Sequence, residues 1–247
     1  MLNHKNLLFA IPLILGSVTK ADLPPDSPVA SILMKFSEGQ KVLNDLNSTG
    51  KFSDVKIILL EQTEIEKRAG HNGGGVRQDP ITKKYEILIN KDISVNQKAH
   101  AIAHELQHIK DETAFDQFLE SNPAINAIGP FVIKGLRDTN RSEFLVKNKD
   151  KVNFVMYGLF CQERRAYQSN INLSKQGLSF DTLEVIEKPA QYIFEKYVKK
   201  FGVEMTGKEI SDLEKKCVNS ESFLDFMSSV VPFSVVTKKD VSASAAK

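Results

Sequence analysis

The chain has 247 residues, of which 41% are hydrophobic and 26% are charged, and its formal net charge is +2. This composition is typical of a folded globular protein and excludes a chain that is disordered throughout. The length allows one domain with a substantial core or two small ones. No clustered basic stripe interleaved with aromatic residues is evident, so we expect no nucleic-acid partner.

The first 21 residues have the pattern of an export signal. Lys5 gives a positively charged start, residues 7–16 form a short apolar run, and Thr19 with Ala21 supplies small residues at a cleavage position. The apolar run is too short to cross a bilayer. We therefore expect an exported protein, periplasmic or secreted, that begins at Asp22 and has no stable membrane span. The alternatives are an uncleaved anchor and a buried N-terminal helix.

Hydrophobic spacing outlines the elements of the first ninety residues. Apolar residues at helical spacing predict a helix from Val29 to Leu46, and a β-branched run predicts a strand from Val55 to Leu60. Glycines between Gly70 and Gly75 predict a flexible loop. Alternation over Tyr85–Asn90 predicts a second strand with one face more buried than the other.

The second half of the chain is predicted to be mainly helical. Apolar residues at helical spacing predict four segments, at Lys151–Ser169, Thr182–Phe201, Glu209–Cys217 and Ser222–Val230. Pro189 is expected to kink or break the second of them. Residues 131–136 fit either a short strand or a helical turn, and residues 233–247 have the composition of a disordered tail. No repeat or long linker divides the chain, so we expect one α+β domain over residues 22–232.

The chain has two cysteines, Cys161 and Cys217. Their spacing matches no zinc knuckle, and two cysteines are too few for a disulfide scaffold. They could pair in an oxidising compartment or remain two buried thiols, and the sequence favours neither reading.

The strongest motif is the HELQH sequence from His104 to His108, an HExxH pattern. It lies in a helix that is predicted to start at a capping box of Ser94 and Gln97 and to end near residue 119. Because one helical turn separates the histidines, both imidazoles can bind one tetrahedral zinc ion. Glu105 can then act as general base on a water that the metal activates. The motif predicts a zinc-dependent peptidase.

A catalytic zinc ion with two histidine ligands needs a third protein ligand. Asp111 and Glu112 lie a turn or more beyond the midpoint between the histidines, too far along the helix to reach the same ion. Glu163 is the preferred candidate, because it interrupts an otherwise apolar face of the second long helix. Ala166, three residues later, would let the two helices approach closely.

A different role for Glu163 also stays open. Glu163 could be a surface residue that pairs with one of its basic neighbours, Arg164, Arg165 or Lys149. The third ligand would then be another carboxylate, either Asp116 or Glu143.

With Glu163 in this place, the region from Lys84 to Tyr167 resembles the gluzincins, metallopeptidases in which the HExxH helix packs against a helix that bears a glutamate ligand. The resemblance implies a mostly helical, zincin-like α+β domain with one Zn²⁺ per chain, held by His104, His108 and Glu163. It implies Glu105 as the general base. It also implies that the strand Tyr85–Asn90 forms the edge of a small sheet, along which a peptide or protein substrate lies.

Other residues have weaker claims to a role. His100, one turn before His104, could support the site or be an ordinary buried histidine. Candidates for a donor to the oxyanion are His71 and three tyrosines: Tyr157, Tyr167 and Tyr192. The alternative functions are a catalytically inactive zinc-binding interaction protein of the cell envelope or secreted fraction, and a helical protein without a metal.

Overall fold

The computed structural model describes residues 27–47, 55–69, 74–79, 84–138 and 140–231. The export signal predicted for residues 1–21, the tail predicted for 233–247 and His71 all lie outside these residues. Within them, no helix is both long enough and apolar enough to cross a membrane.

Within the described residues the chain forms three strands, β1 (Lys56–Leu60), β2 (Gly74–Gln78) and β3 (Tyr85–Asn90). The helices before residue 148 are α1 (Pro28–Leu33), α2 (Ser37–Asn47), α3 (Gln62–Ala69), α4 (Val95–Ser121), α5 (Pro123–Asn126), α6 (Ile128–Leu136) and α7 (Arg141–Lys147). The later ones are α8 (Lys149–Lys175), α9 (Leu183–Glu187), α10 (Pro189–Ile193), α11 (Gly207–Asn219) and α12 (Phe223–Val230). A π-helical turn (Phe194–Val198) and a 3₁₀ turn (Lys199–Phe201) follow α10. A mostly helical chain with one small sheet confirms the α+β class.

The three strands form one mixed sheet in the order β1-β3-β2. β3 pairs in parallel with β1, with Ile57 opposite Ile87, and antiparallel with β2, with Val76 opposite Ile87. β3 is therefore the central strand, and the prediction that Tyr85–Asn90 forms an edge is wrong. Its backbone groups are hydrogen-bonded on both sides, so an extended peptide cannot pair with it.

Helices cover both faces of the sheet. One face packs against α4, in a core that contains Ile57, Ile87, Ile89, Ile102, Leu106 and Ile109. The other face packs against α3, in a cluster of Ile58, Leu60, Ile65 and Leu88. Burial on both faces explains why β3 is apolar at most positions, where the sequence predicted one less buried face. Its buried Glu86 is paired with Arg77, whose Nε and Nη2 donate to Glu86 Oε2 at 2.7 and 2.6 Å.

The helix predicted from Val29 to Leu46 is two helices, α1 and α2, with a turn at residues 34–36. A Cβ atom on Gly39 would lie 2.1 Å from the carbonyl oxygen of Leu33, so α2 approaches the end of α1 only because residue 39 is glycine. The apolar spacing continues across the turn, which is why the sequence pattern does not reveal it.

Two glycines of the predicted loop lie in a strand, and residues 70–73 lie outside the described part of the chain. Gly74 and Gly75 are not part of a loop but begin strand β2. A Cβ atom on Gly74 would meet the carbonyl oxygen of Leu88 at 3.0 Å and the side chain of Ala101 at 3.7 Å. The missing side chain thus lets β2 lie close to both β3 and α4.

The remaining helices agree with the sequence pattern to different degrees. Residues 131–136, which fitted a strand or a turn, lie in α6. The predicted break at Pro189 is present, since α9 ends at Glu187 and α10 begins at Pro189. The second long helix, α8, extends beyond the predicted Lys151–Ser169 to Lys175.

By its internal contacts the chain divides into two compact units. Of the described residues, 27–110 and 165–187 form a sheet unit, and 111–164 and 188–231 form a helical unit. Two of the three boundaries fall inside continuous helices, after Lys110 in α4 and after Arg164 in α8, and the third follows Glu187 at the end of α9. The single domain expected over residues 22–232 stays a prediction.

Two links join α8 to α11. Cys161 and Cys217 form a disulfide, and both are completely buried. One turn away on each helix, Arg164 Nε donates to Glu214 Oε1 at 2.7 Å. The choice between a disulfide and two free thiols is thereby settled in favour of the disulfide, and the two links lie on either side of Glu163 in the sequence.

We expect the disulfide to contribute strongly to stability, because it closes a loop with a sequence separation of 56 residues. The chain-entropy relation gives about 4 kcal/mol for a loop of this length. The double variant Cys161→Ser/Cys217→Ser should therefore lower the free energy of unfolding by about that amount in urea denaturation. Reduced wild-type protein should match the variant; an unchanged denaturation midpoint after reduction would contradict this role.

Candidate metal centre

Helix α4 holds the HELQH sequence in a fixed register. The predicted capping box is present, since Ser94 Oγ accepts from the Gln97 N–H at 3.2 Å and Gln97 Oε1 accepts from the Ser94 N–H at 2.7 Å. One side of the helix packs on the sheet through Ile102 and Leu106. The histidines and Glu105 occupy other positions, and all three are buried.

The imidazoles of His104 and His108 meet at their Nε2 atoms, which lie 3.1 Å apart, with the ring planes at 76°. Two nitrogen ligands about 2.0–2.1 Å from one tetrahedral ion are about 3.3 Å apart. The rings are thus placed close to where a shared ion requires them.

Glu163 of α8 joins this pair. One ligand atom from each of His104, His108 and Glu163 lies within 4.8 Å of the other two. The three side chains are 9%, 5% and 3% exposed, respectively. The reading of Glu163 as a surface residue does not fit this burial, and its neighbour Arg164 pairs with Glu214 instead.

The other carboxylates considered as ligands lie elsewhere. Among the residues that the structure describes, His104, His108 and Glu163 form the one group that could hold a metal ion. Asp116 is not a member of it, and neither is Glu143, which is exposed and accepts from Lys147 Nζ at 2.6 Å.

The donor set fits a divalent metal ion. Two imidazole nitrogens and one carboxylate oxygen match the ligands of zinc and of several first-row transition metals. Burying a carboxylate away from water costs several kcal/mol unless an opposite charge compensates it, and a cation bound here would supply that charge. The group could therefore hold a metal ion, and the fourth position of a tetrahedral ion would remain available to another ligand.

Glu105 lies next to His104 in the sequence and is also buried. It is not a member of the three-residue group whose ligand atoms lie together. Glu105 is therefore adjacent to a member of the group along α4 but is not one of its possible ligands.

Tyr167 packs edge-on against the ring of His104, with centroids 4.5 Å apart and planes at 70°. It lies four residues after Glu163, one turn further along α8. Glu163 and Tyr167 thus both approach the histidine pair from α8. Tyr167 restricts the orientation of the His104 ring, a role that the sequence gave no reason to prefer over the others.

His100 belongs to a different contact. Its Nε2 lies 3.1 Å from the carbonyl oxygen of Ser179, and its ring packs against Phe180 at 4.6 Å. Burial lowers its pKa, which favours the neutral ring. His100 is absent from the ligand group, so it anchors the segment after α8 onto α4 instead.

The remaining tyrosines proposed as donors have other contacts. Tyr192 accepts from Lys196 Nζ at 2.8 Å. Burial raises the pKa of the Tyr157 hydroxyl. No donor for an oxyanion can be assigned to either residue from these contacts.

One contact near the histidines, between Glu112 of α4 and Gln162 of α8, was not predicted from the sequence. Gln162 Nε2 lies 3.5 Å from Glu112 Oε1. Burial, followed by the charge of Asp116, raises the pKa of Glu112 to about 8. Glu112 therefore carries a proton at neutral pH, and only the pattern of three acids at 111, 112 and 116 hinted at it.

Comparisons with protein-family models, with curated proteins and with solved structures give no significant match. The HELQH sequence, the buried donor group and the neighbouring carboxylate carry the functional assignment by themselves.

We expect stability to fall as the pH rises from about 5 to about 8, because the folded chain keeps the Glu112 proton that the unfolded chain has lost. In Glu112→Gln, the fall in the free energy of unfolding between pH 5 and pH 8 should be smaller than in the wild type by at least about 1 kcal/mol, since one pKa unit corresponds to about 1.4 kcal/mol. Urea denaturation across this range, with a chelator present, measures it.

The exposed Glu143→Gln serves as the matched control and should follow the wild-type profile. Parallel profiles for wild type and Glu112→Gln would assign the pH dependence to other groups.

Proposed function

We propose that this protein is an exported zinc-dependent peptidase of gluzincin type. The observation that carries the proposal is the buried group of His104, His108 and Glu163 directly beside Glu105 in an HExxH sequence. A purely structural zinc site is normally closed by four protein ligands, whereas three ligands leave a position for water or substrate.

The four residues take distinct roles in this proposal. His104, His108 and Glu163 would hold one zinc ion per chain, which when bound supplies a Lewis acid that polarises the scissile carbonyl and activates water. Glu105 takes a proton from the attacking water and later passes it to the leaving amine. Tyr167 holds the His104 ring in place and is thus a positioning residue.

The edge at which a peptide could pair must be reassigned, because β3 is central. We infer that β2 is the better candidate. Its Gly74 lies against Ala101, which precedes Glu105 by one turn of α4. An extended peptide that adds to the outer edge of β2 would run close to that turn, with main-chain hydrogen bonds giving affinity.

Export is the second part of the proposal. The N-terminal pattern predicts it, and the Cys161–Cys217 disulfide supports it, since structural disulfides form and persist mainly in oxidising compartments.

The competing function is a zinc-binding interaction protein without catalytic activity. The metal would then only stabilise the fold around α4 and α8. The intact Glu105 favours the peptidase, because a structural metal site has no use for a buried general base.

The test is cleavage of a diverse peptide library by the zinc-loaded protein, read by mass spectrometry. We expect the wild type to cleave peptides and Glu105→Gln to bind zinc normally but to turn over about 10²–10⁴-fold more slowly. Glu143→Gln, at an exposed glutamate, should match the wild type.

Two results would count against the proposal. Zinc binding without any cleavage by the wild type would favour the interaction protein. Equal cleavage by wild type and Glu105→Gln would remove Glu105 from the mechanism.

A further inference from the structure

The surface after α10 has an unusual combination of side chains. Residues 188–202 include four lysines and one glutamate, together with two tyrosines and two phenylalanines, of which Phe194 is buried and Phe201 is partly exposed. The backbone leaves α-helical geometry here and forms the π-helical turn Phe194–Val198 and the 3₁₀ turn Lys199–Phe201. π-helical turns are rare and occur frequently at functional sites.

These turns bring lysines and aromatic rings together in what we call the lysine–aromatic stripe, formed by Tyr192, Lys196, Tyr197, Lys200 and Phe201. Lys196 Nζ lies 5.1 Å from the ring centroid of Tyr192 and 5.2 Å from that of Tyr197. Lys200 Nζ lies 5.9 Å from the centroid of Tyr197 and 5.3 Å from that of Phe201. Lys196 Nζ also donates to the Tyr192 hydroxyl at 2.8 Å, and none of these aromatic contacts neutralises a lysine charge.

The charge of the stripe is not balanced locally. Glu195 is the one acid within residues 188–202, and its Oε2 accepts from Lys199 Nζ at 2.6 Å. Lys196 and Lys200 are exposed, and among the described residues neither forms an ion pair. Two exposed lysines are thus left with positive charge that a partner could neutralise.

The stripe is continuous with α7. Arg141 Nη2 donates to the carbonyl oxygen of Lys200 at 3.0 Å. Gly202, with a φ of 74°, ends the stripe where a Cβ atom would lie 3.2 Å from Leu145 of α7. Arg141 therefore adds a further cation at the end of the stripe.

Apolar side chains are exposed on α7, which contacts the stripe, and on α6, which packs against α7. Val146 of α7 is 81% exposed, and Phe131 of α6 is 43% exposed and contacts Phe144 of α7 at 5.3 Å. The ammonium of Lys151 lies 4.7 Å from the Phe131 ring. Exposed apolar side chains of this size next to lysines are typical of surfaces that enter a lipid headgroup region.

We propose that the lysine–aromatic stripe, with α6 and α7, binds the surface of an anionic phospholipid bilayer. The lysines would neutralise lipid phosphates at such a surface. Tyr192, Tyr197 and Phe201 of the stripe, together with Phe131, would enter the interface between headgroups and acyl chains, where aromatic rings are favoured. Val146 and Phe131 favour a bilayer over nucleic acid, because nucleic-acid surfaces offer no apolar phase to aliphatic side chains.

The expectation of no basic stripe interleaved with aromatic residues is corrected here. Net charge over the whole chain is nearly balanced, which hides a local excess. The repeat of Tyr192, Lys196 and Lys200 at four-residue spacing was the available signal.

The test is co-sedimentation of the full-length protein with vesicles of phosphatidylcholine alone and of phosphatidylcholine mixed with phosphatidylglycerol. We expect binding to the anionic vesicles only, weakened by added salt because exposed charges are screened. Lys196→Glu/Lys200→Glu should reduce the partition coefficient at least about 30-fold, as expected from two lysines. Lys196→Gln/Lys200→Gln should give a smaller loss.

The matched control is Lys208→Glu/Lys215→Glu, which changes the net charge equally on exposed positions of α11. It should bind as the wild type does. Equal loss in both double variants would mean that only net charge matters and would overturn the proposal. Absence of binding to anionic vesicles, or binding to duplex RNA with none to vesicles, would overturn it as well.

Discussion

The burial of two imidazoles and a carboxylate in one place is the interaction on which the rest of the structure depends. His104, His108 and Glu163 are each less than one tenth exposed, and removing such groups from water separately is costly. Together they offer one cation three ligands, so a single ion can offset the cost for all of them. The long helices α4 and α8, with 27 residues each, make this grouping achievable.

The two helices that carry the group are each held by contacts within their own unit. α4 is fixed by the sheet core on one side and by its capping box at the start. α8 is fixed beside Glu163 by the disulfide at Cys161 and the ion pair at Arg164. These two links restrain α8 relative to α11 on either side of Glu163 in the sequence.

The sequence predicted the features that depend on local periodicity. The capping box, the break at Pro189, the strand Tyr85–Asn90 and the long helix around Glu163 all follow from spacing within one or two turns. The HExxH pattern and the interruption of an apolar face likewise singled out the three residues that lie together. These signals are local, because the geometry of a single helix or strand fixes which nearby residues share a face or form a cap.

The features that the sequence did not predict depend on residues far apart. Strand order cannot be read from alternation, so β3 was placed at the edge although β1 and β2 flank it. Glycines indicated a loop at 74 and 75, whereas the absence of a side chain at Gly74 allows β2 to approach β3 and α4 closely. The pairing of Cys161 with Cys217, and the raised pKa of Glu112, arise only when distant segments pack.

The central claim is that His104, His108 and Glu163 bind one metal ion. Zinc content per chain, measured by inductively coupled plasma mass spectrometry after equilibration with zinc, tests it most directly on wild type, His108→Ala, Glu163→Ala and the exposed control Glu143→Ala. The account predicts one zinc ion in wild type and control and none in the other two variants. Full zinc content in Glu163→Ala, or no zinc in the wild type, would contradict it.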